Sequence, residues 1–270
     1  MNANLSQSAR VFWSSAVIAK KALFSWLSPS LWAMQLFTMS LFQIALFWYI
    51  ASYVNNTAEA LQYVVVGNAM QSIAYVAVFA VTNITGEEKE AGTLPGILAT
   101  PANRFAMFVG KAMFQVLNSM ATVAIAFFYA VVLFGLDFSQ VNLLTLAVVI
   151  AVTSFATVGF GLMLSSLGFY LRTSMIVANI FLFIGLLFCG VNFPVTDLPE
   201  YLQPISYAIP MTYGTDAARA AVEGAGVLDS EVAGLLCNEL IVAGAAILIG
   251  YFMMIAFERI ARKKGTLEMF

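Results

Sequence analysis

No histidine occurs among the 270 residues, and cysteine occurs only twice, at positions 189 and 237. The first absence removes the commonest general base and metal ligand, and Cys189 and Cys237 are too few and too far apart for a zinc or haem motif. Charge is scarce as well, with 10% Asp, Glu, Lys and Arg and a net charge of −2. That balance supplies no basic footprint for nucleic acid. No G-x-x-x-x-G-K-[ST] phosphate loop is present, so ATP hydrolysis by the usual route is excluded for this chain.

What is there is apolar. Hydrophobic residues make up 61% of the chain and mean hydropathy is +0.90, outside the range of soluble domains and inside that of polytopic membrane proteins. Crossing about 30 Å of hydrocarbon takes about 20 helical residues. Six stretches qualify, at 31–54, 61–84, 107–135, 141–168, 174–193 and 235–257. Ahead of them, over 8–28, Phe12, Ala16, Ala19, Leu23 and Trp26 fall at helical spacing while Arg10, Ser14, Lys20 and Lys21 supply polar faces. This pattern predicts an amphipathic helix lying in the interface; Lys20 and Lys21 interrupt the apolar core that the alternative, a cleavable signal peptide, needs.

Positive charge is retained on the cytoplasmic side of membranes, so the basic residues orient the chain. With the N-terminus inside, Arg10, Lys20, Lys21, Lys89, Arg104, Lys111, Arg172, Arg259, Arg262, Lys263 and Lys264 are cytoplasmic or at that interface, and Arg219 alone is outside. The outer side collects Glu59, Asp137, Asp197, Glu200, Asp216, Glu223, Asp229 and Glu231. Both termini are expected in the cytoplasm.

The one dense cluster of charge, Glu87, Glu88, Lys89 and Glu90, opens the 85–106 segment between the second and third spans. At mid-bilayer each of these groups costs on the order of 2.5 to 3.5 kcal/mol, so the run lies outside the hydrocarbon. A solvated loop is one reading. The continuation adds a second, since Leu94, Ile97 and Leu98 sit at helical spacing, Thr93 stands where a cap belongs, Pro95 fits a first helical turn, and the residue before Pro101 is pushed out of helix. A charged arm, a short helix and a stop make a docking surface.

"EEKEAGTLPGILATPANRFAMFVGK" resembles the Glu-(Arg/Lys)-Glu-x-Gly-Thr-Leu…Leu-x-(Ala/Ser)-Thr-Pro stretch of the membrane subunits of type 2 ABC exporters. "GVNFPVTDLPEYLQPISYAIPMTYGTDAARA" and the tail "AFERIARKKGTLEMF" are similar to that family in the same order. The resemblance implies an all-α integral membrane protein: six transmembrane helices, an N-terminal interfacial helix, a cytoplasmic coupling helix and an outer re-entrant helical pair. It assigns ATPase coupling to Glu87, Glu88, Glu90, Gly92, Thr93, Leu94, Leu98, Thr100 and Pro101. Pro95 departs from the family pattern and displaces the expected start of the coupling helix. The implied partners are a separate nucleotide-binding ATPase subunit, which carries ATP and Mg, a second permease subunit, identical or similar, and membrane lipid.

Four of the seven prolines, Pro194, Pro199, Pro204 and Pro210, fall within the outer segment 194–226. Asp197 with Glu200 offers a variant capping box, Pro199 an early helical position, and Gly224 the left-handed end of a second helix. Its aromatic content predicts a helical pair dipping into the outer leaflet, with an ordinary extracellular cap as the alternative. The family resemblance makes this pair the outer gate, with Phe193, Pro194, Pro199, Tyr201, Pro210 and Tyr213 its residues. Inside the spans Gln43, Asn68, Gln71, Gln115, Asn118 and Asn179 either line a pathway or hydrogen-bond neighbouring helices. Glu239, near the outer end of the last span, is either functional or snorkels to the interface.

The function expected is therefore the permease subunit of an ATP-driven exporter in the plasma (cytoplasmic or inner) membrane, carrying an amphipathic small molecule, drug, antibiotic or lipid. The chain binds no cofactor or metal itself. An ion-coupled secondary transporter, or a channel, without an ATPase partner is the alternative.

Overall fold

The computed structural model describes residues 2–55, 57–100, 102–169, 171 and 174–264, in which ten α-helices account for most of the backbone and no strand occurs. Five helices are long and apolar enough to cross a membrane: α2 (Pro29–Val54), α3 (Ala58–Glu90), α5 (Arg104–Val132), α6 (Leu143–Ser165, prolonged by a 3₁₀ turn Ser166–Phe169) and α10 (Ser230–Lys264). The remainder are α1 (Asn2–Trp26), the short α4 (Leu94–Ala99), α7 (Ser174–Phe188), α8 (Gln203–Tyr207) and α9 (Pro210–Val222).

Side-chain oxygens start several of these helices. Ser28, Thr57, Asn103 and Asn142 each accept from the backbone N–H three residues on, satisfying a donor that the first turn leaves free. In the loop before α6, the Ser139 N–H donates to Asp137 Oδ1 at 2.9 Å and holds that carboxyl below its ordinary value.

α3 is the central post. It packs on α2, α5, α6, α7 and α9, and Val66, Ala69, Met70, Ile73, Ala77 and Val81 along it are fully buried. Lipid gives no hydrophobic drive between helices, so close approach depends on small residues. A Cβ on Gly161 would stand 3.0 Å from the Ala77 carbonyl oxygen, and one on Gly250 would stand 2.8 Å from Met163 Cα. α1 crosses α5 by the same device, since a Cβ on Gly110 would lie 2.3 Å from the Phe12 carbonyl. It leaves Trp13 and Ile18 exposed on its far side.

Three segments differ from the sequence expectation. α3 does not end at Ile84 but runs through the charged run to Glu90, because Glu and Lys are good helix formers and the helix continues beyond its apolar part. Its 33 residues extend about 50 Å, well over the hydrocarbon thickness. α7 stops at Phe188, 15 residues long, and positions 189–193 of the expected fifth span are irregular. In the outer segment Asp197 closes a 3₁₀ turn (Val195–Asp197) instead of capping a helix, and α8 starts only at Gln203 with Pro204 in its first turn. Pro199 therefore lies in the link between turn and helix. α9 ends as expected, with Gly224 at φ +99 and Ala225 N–H donating to Ala220 O at 2.9 Å.

Candidate functional site

The end of α3 turns sharply into α4. Gly92 has φ +67, a left-handed conformation that costs an L side chain about 1–2 kcal/mol. Around it Gly92 N–H donates to Lys89 O (2.8 Å) and Thr93 N–H to Glu88 O (3.0 Å), the two bonds of a Schellman motif. The Gly-Thr pair is thus a helix stop with a geometric purpose. Thr93 precedes α4 but does not cap it. Its hydroxyl lies back against the Glu88 carbonyl oxygen at 3.1 Å and against the Glu88 carboxylate.

Glu88 also pairs with Lys111 on α5. Lys89 turns the other way and is buried, its Nζ donating to the carbonyls of Phe169 (3.3 Å) and Leu171 (3.0 Å), where the backbone has left the helix after α6. Within α4, Leu94 and Leu98 are buried and Pro95 sits in the first turn without displacing it; Thr100 Oγ1 donates to Ile97 O at 2.8 Å. Glu87, Glu90, Gly92, Thr93 and Thr100 face outward. Pro101 lies outside the described residues. Arg104, at the start of α5, donates from Nη2 to Leu98 O (2.9 Å) and from Nη1 to Glu258 of α10 (2.5 Å).

The polar residues of the spans separate into two groups. Gln43 and Asn179 line an open cleft of about 520 Å³ between α2, α3, α5 and α7, together with Ser40, Ser72, Phe42 and Tyr75. Asn179 is exposed and bonds Met175 O; Gln43 Nε2 donates to Asn68 O at 3.1 Å. The other four lie off this cleft. Asn68 is buried and donates to Val64 O and to Asn192 Oδ1, both at 2.9 Å. Gln71, also buried, reaches Leu182 O at 3.4 Å, and Asn118 donates to Gln115 Oε1 at 3.2 Å.

At the acidic end, Arg219 of α9 is the centre of a cluster that sequence reasoning passed over. Its guanidinium lies 3.4 Å from the centroid of the Tyr63 ring. Nη1 bonds Asp216 at 3.0 Å, while Nη2 faces the carbonyls of Gly190 (2.7 Å), Val191 (3.1 Å) and Tyr63 (3.3 Å). Tyr63 OH donates to Gly190 O at 3.1 Å. The unwound chain after α7 leaves carbonyls without helical partners, and irregular backbone at membrane depth needs internal partners. Arg219 and Tyr63 supply them at Gly190 and Val191, while Asn68 ties the Asn192 side chain to α3. A Cβ on Gly67 would come within 2.0 Å of Val191 O, so only glycine admits this strand of backbone against α3. One signal was available in sequence: the single basic residue on the acid-rich side.

Of the outer residues, Pro210 is buried at the start of α9, and Phe193 is half-buried. Tyr213 OH donates to Tyr207 O at 3.1 Å across the α8–α9 corner. Pro194, Pro199 and Tyr201 are exposed. Glu239 does not snorkel. It is fully buried between α10, α6 and α9, with Thr153 Oγ1 donating to Oε2 at 3.2 Å and Oε1 against Gly214. Cys189 and Cys237 are both free thiols, one buried and one exposed.

A bundle of long apolar helices with buried amides and an open cleft fits a multi-pass membrane protein. Residues 14–222 match the model of the ABC-2 type transporter family, and the chain belongs to that family. Over 156 residues it is 26% identical to the probable multidrug ABC transporter permease YbhR of Escherichia coli strain K12, and equally to that of strain O157:H7. The match covers 57% of this chain and 42% of those relatives, so the chain aligns with less than half of their length.

Proposed function

We propose that this chain is the permease subunit of an ATP-driven exporter, working as a dimer with a separate nucleotide-binding ATPase subunit. The observation that carries the reading is the α3–α4 corner. Three acidic side chains crowd the C-terminal turn of α3, where the helix dipole disfavours them, and Glu87 and Glu90 face outward with the Schellman turn and the outer face of α4. Such an arrangement gains from a complementary cleft on another protein. In this reading α4 is the coupling helix, α7 with 189–193 completes a sixth span, both termini are cytoplasmic, and the membrane is the plasma or inner membrane.

α1 lies in the cytoplasmic interface with Trp13 and Ile18 towards lipid. The α8–α9 pair dips into the outer leaflet and closes the outer end of the pathway. ATP and Mg belong to the partner; binding there closes the motor, displaces α4 and opens the path between permeases. The cargo is amphipathic or apolar and small, a drug, antibiotic or lipid, in keeping with the multidrug permease among the relatives and with a cleft lined by amides, hydroxyls and aromatic rings.

The test is affinity purification from native membranes in mild detergent, with mass spectrometry and an ATPase assay of what is retained. A stoichiometric nucleotide-binding subunit with vanadate-sensitive turnover is expected. A lone chain inert towards ATP in detergent and in lipid overturns the reading. The buried carboxylate of Glu239 favours a second one, ion-coupled transport, because intramembrane acids commonly carry ions. Uptake into proteoliposomes driven by a proton gradient without nucleotide selects that alternative.

A further inference from the structure

We infer that the outward face of α1 is a docking surface for anionic phospholipid of the cytoplasmic leaflet, an inference that rests on the placement of α1 at that interface proposed above. The apolar stripe visible in sequence, which includes Phe12, Ala16 and Ala19, is not the face that meets the surroundings. α1 turns that side to α5, with Asn103 Nδ2 donating to Ser8 Oγ at 3.4 Å, the Phe12 carbonyl over Gly110, and Ser15 buried. What remains outward is the opposite face.

That face has two zones. Trp13, Val17 and Ile18 are 69, 40 and 58% exposed and lie one helical turn apart, an apolar patch. Lys20 and Lys21 follow directly at its C-terminal end and are exposed as well. Water disfavours the first zone and hydrocarbon the second. A phospholipid serves both, with acyl chains against the patch, the indole at headgroup level and the phosphodiester within reach of the ammonium groups. The protein supplies no counter-charge of its own. α1 itself, α5 on which it packs, and α2 which follows it contain no Asp or Glu, and no ion pair joins either lysine among the described residues. A zwitterionic headgroup leaves that charge in place, whereas an anionic one neutralises it. The attraction of a basic side chain to an anionic surface corresponds to about fivefold in occupancy for each lysine and about thirtyfold for the pair.

The test uses the full chain with Cys237→Ser and Ser14→Cys, which carries a bimane label on the outward face beside Trp13. It is reconstituted into phosphatidylcholine vesicles with a rising fraction of brominated phosphatidylglycerol or of brominated phosphatidylcholine, whose quenching gives relative binding constants at the label. Phosphatidylglycerol is expected to bind about five- to thirtyfold more strongly at low salt, with the preference shrinking as salt is raised. Adding Lys20→Gln and Lys21→Gln brings the preference close to one and leaves the melting temperature unmoved, since both side chains are exposed. Equal binding of the two lipids without those substitutions, or a preference that survives them, overturns the inference. Quenching by neither lipid overturns it too, because protein then covers the face; a dimer cross-linked through Ser14→Cys by a short bismaleimide identifies a second copy as the occupant.

Failure of the placement reads differently. With α1 at the cytoplasmic interface, Ser14→Cys in intact cells is closed to a membrane-impermeant maleimide added outside and reacts once the membrane is opened. Reaction from outside overturns the placement, and the cytoplasmic leaflet with it, whatever the lipid preference. Protection from outside without a phosphatidylglycerol preference leaves the placement standing and overturns the lipid surface alone.

Discussion

Gly67 shows how a single residue decides whether the acidic end can form. Any side chain there enters the space of the Val191 carbonyl and of Arg219 Nη2, the latter 2.7 Å from the missing Cβ. Gly67→Ala must push the unwound 189–193 backbone off α3, an overpacking that costs typically about 1–3 kcal/mol. Thermal unfolding in detergent is expected to shift down accordingly, with no change at the α3–α4 corner. Arg219→Ala is the harsher change, removing the guanidinium from the Gly190 and Val191 carbonyls at a cost of about 1–3 kcal/mol for each buried acceptor left unsatisfied. Arg219→Lys restores only part of it, because an ammonium cannot span the fork and stack on Tyr63 at once. Beyond the lone basic residue on the acid-rich side, none of this is legible in sequence. The contacts join positions 63, 68, 190–192 and 219, and neither periodicity nor local spacing connects residues so far apart in the chain. Lys89 is illegible for the same reason: its sequence neighbours form a charge run, yet its partners are carbonyls of a segment about 80 residues away.

At the scale of the element, the α3–α4 corner was nearly complete in the sequence. Gly92 and Pro95 are punctuation with local meaning, and Leu94 and Leu98 lie four apart on one face, so the short helix and its buried side followed from spacing. Two details did not. Thr93 has the residue type of a cap, whereas the Schellman closure of α3 places its hydroxyl against Glu88. Polarity places the start of a loop at the charged run, whereas α3 continues through it to Glu90. Gly92→Ala is expected to cost the corner about 1–2 kcal/mol of backbone strain while leaving the bundle folded. On the coupling proposed for α4, substrate-stimulated ATPase of the complex should fall, with the melting transition of the membrane portion unmoved. Leu98→Ala removes the buried anchor of α4; cleavage of the 91–100 segment by added protease should accelerate well beyond wild type, and equal cleavage rates would show that α4 is held by its polar ties alone.

For the whole molecule the question is what covers α2. It is the least enclosed of the long helices, with Met34, Phe37, Met39, Phe42, Leu46 and Tyr49 all exposed, and α7 beside it exposes Ile176, Ile180 and Phe183. Lipid satisfies such a surface so long as it is apolar throughout, and composition gave the long spans for that reason. The cleft between α2 and α7 is not apolar throughout: the exposed amides of Gln35 and Asn179 open into it beside the aromatic rings. Exposed amides in a membrane need an aqueous path or a second protein. A second permease copy set against this face would cover both helices and turn two lateral clefts into one central route. With Cys237 replaced by serine, Phe42→Cys is therefore expected to yield a cross-linked dimer with a short bismaleimide in native membranes, while Phe128→Cys, exposed on α5, is not. Cross-linking at position 128 with none at 42 would move the interface to α5 and leave the cleft facing lipid, making it a lateral entry and not half of a shared channel.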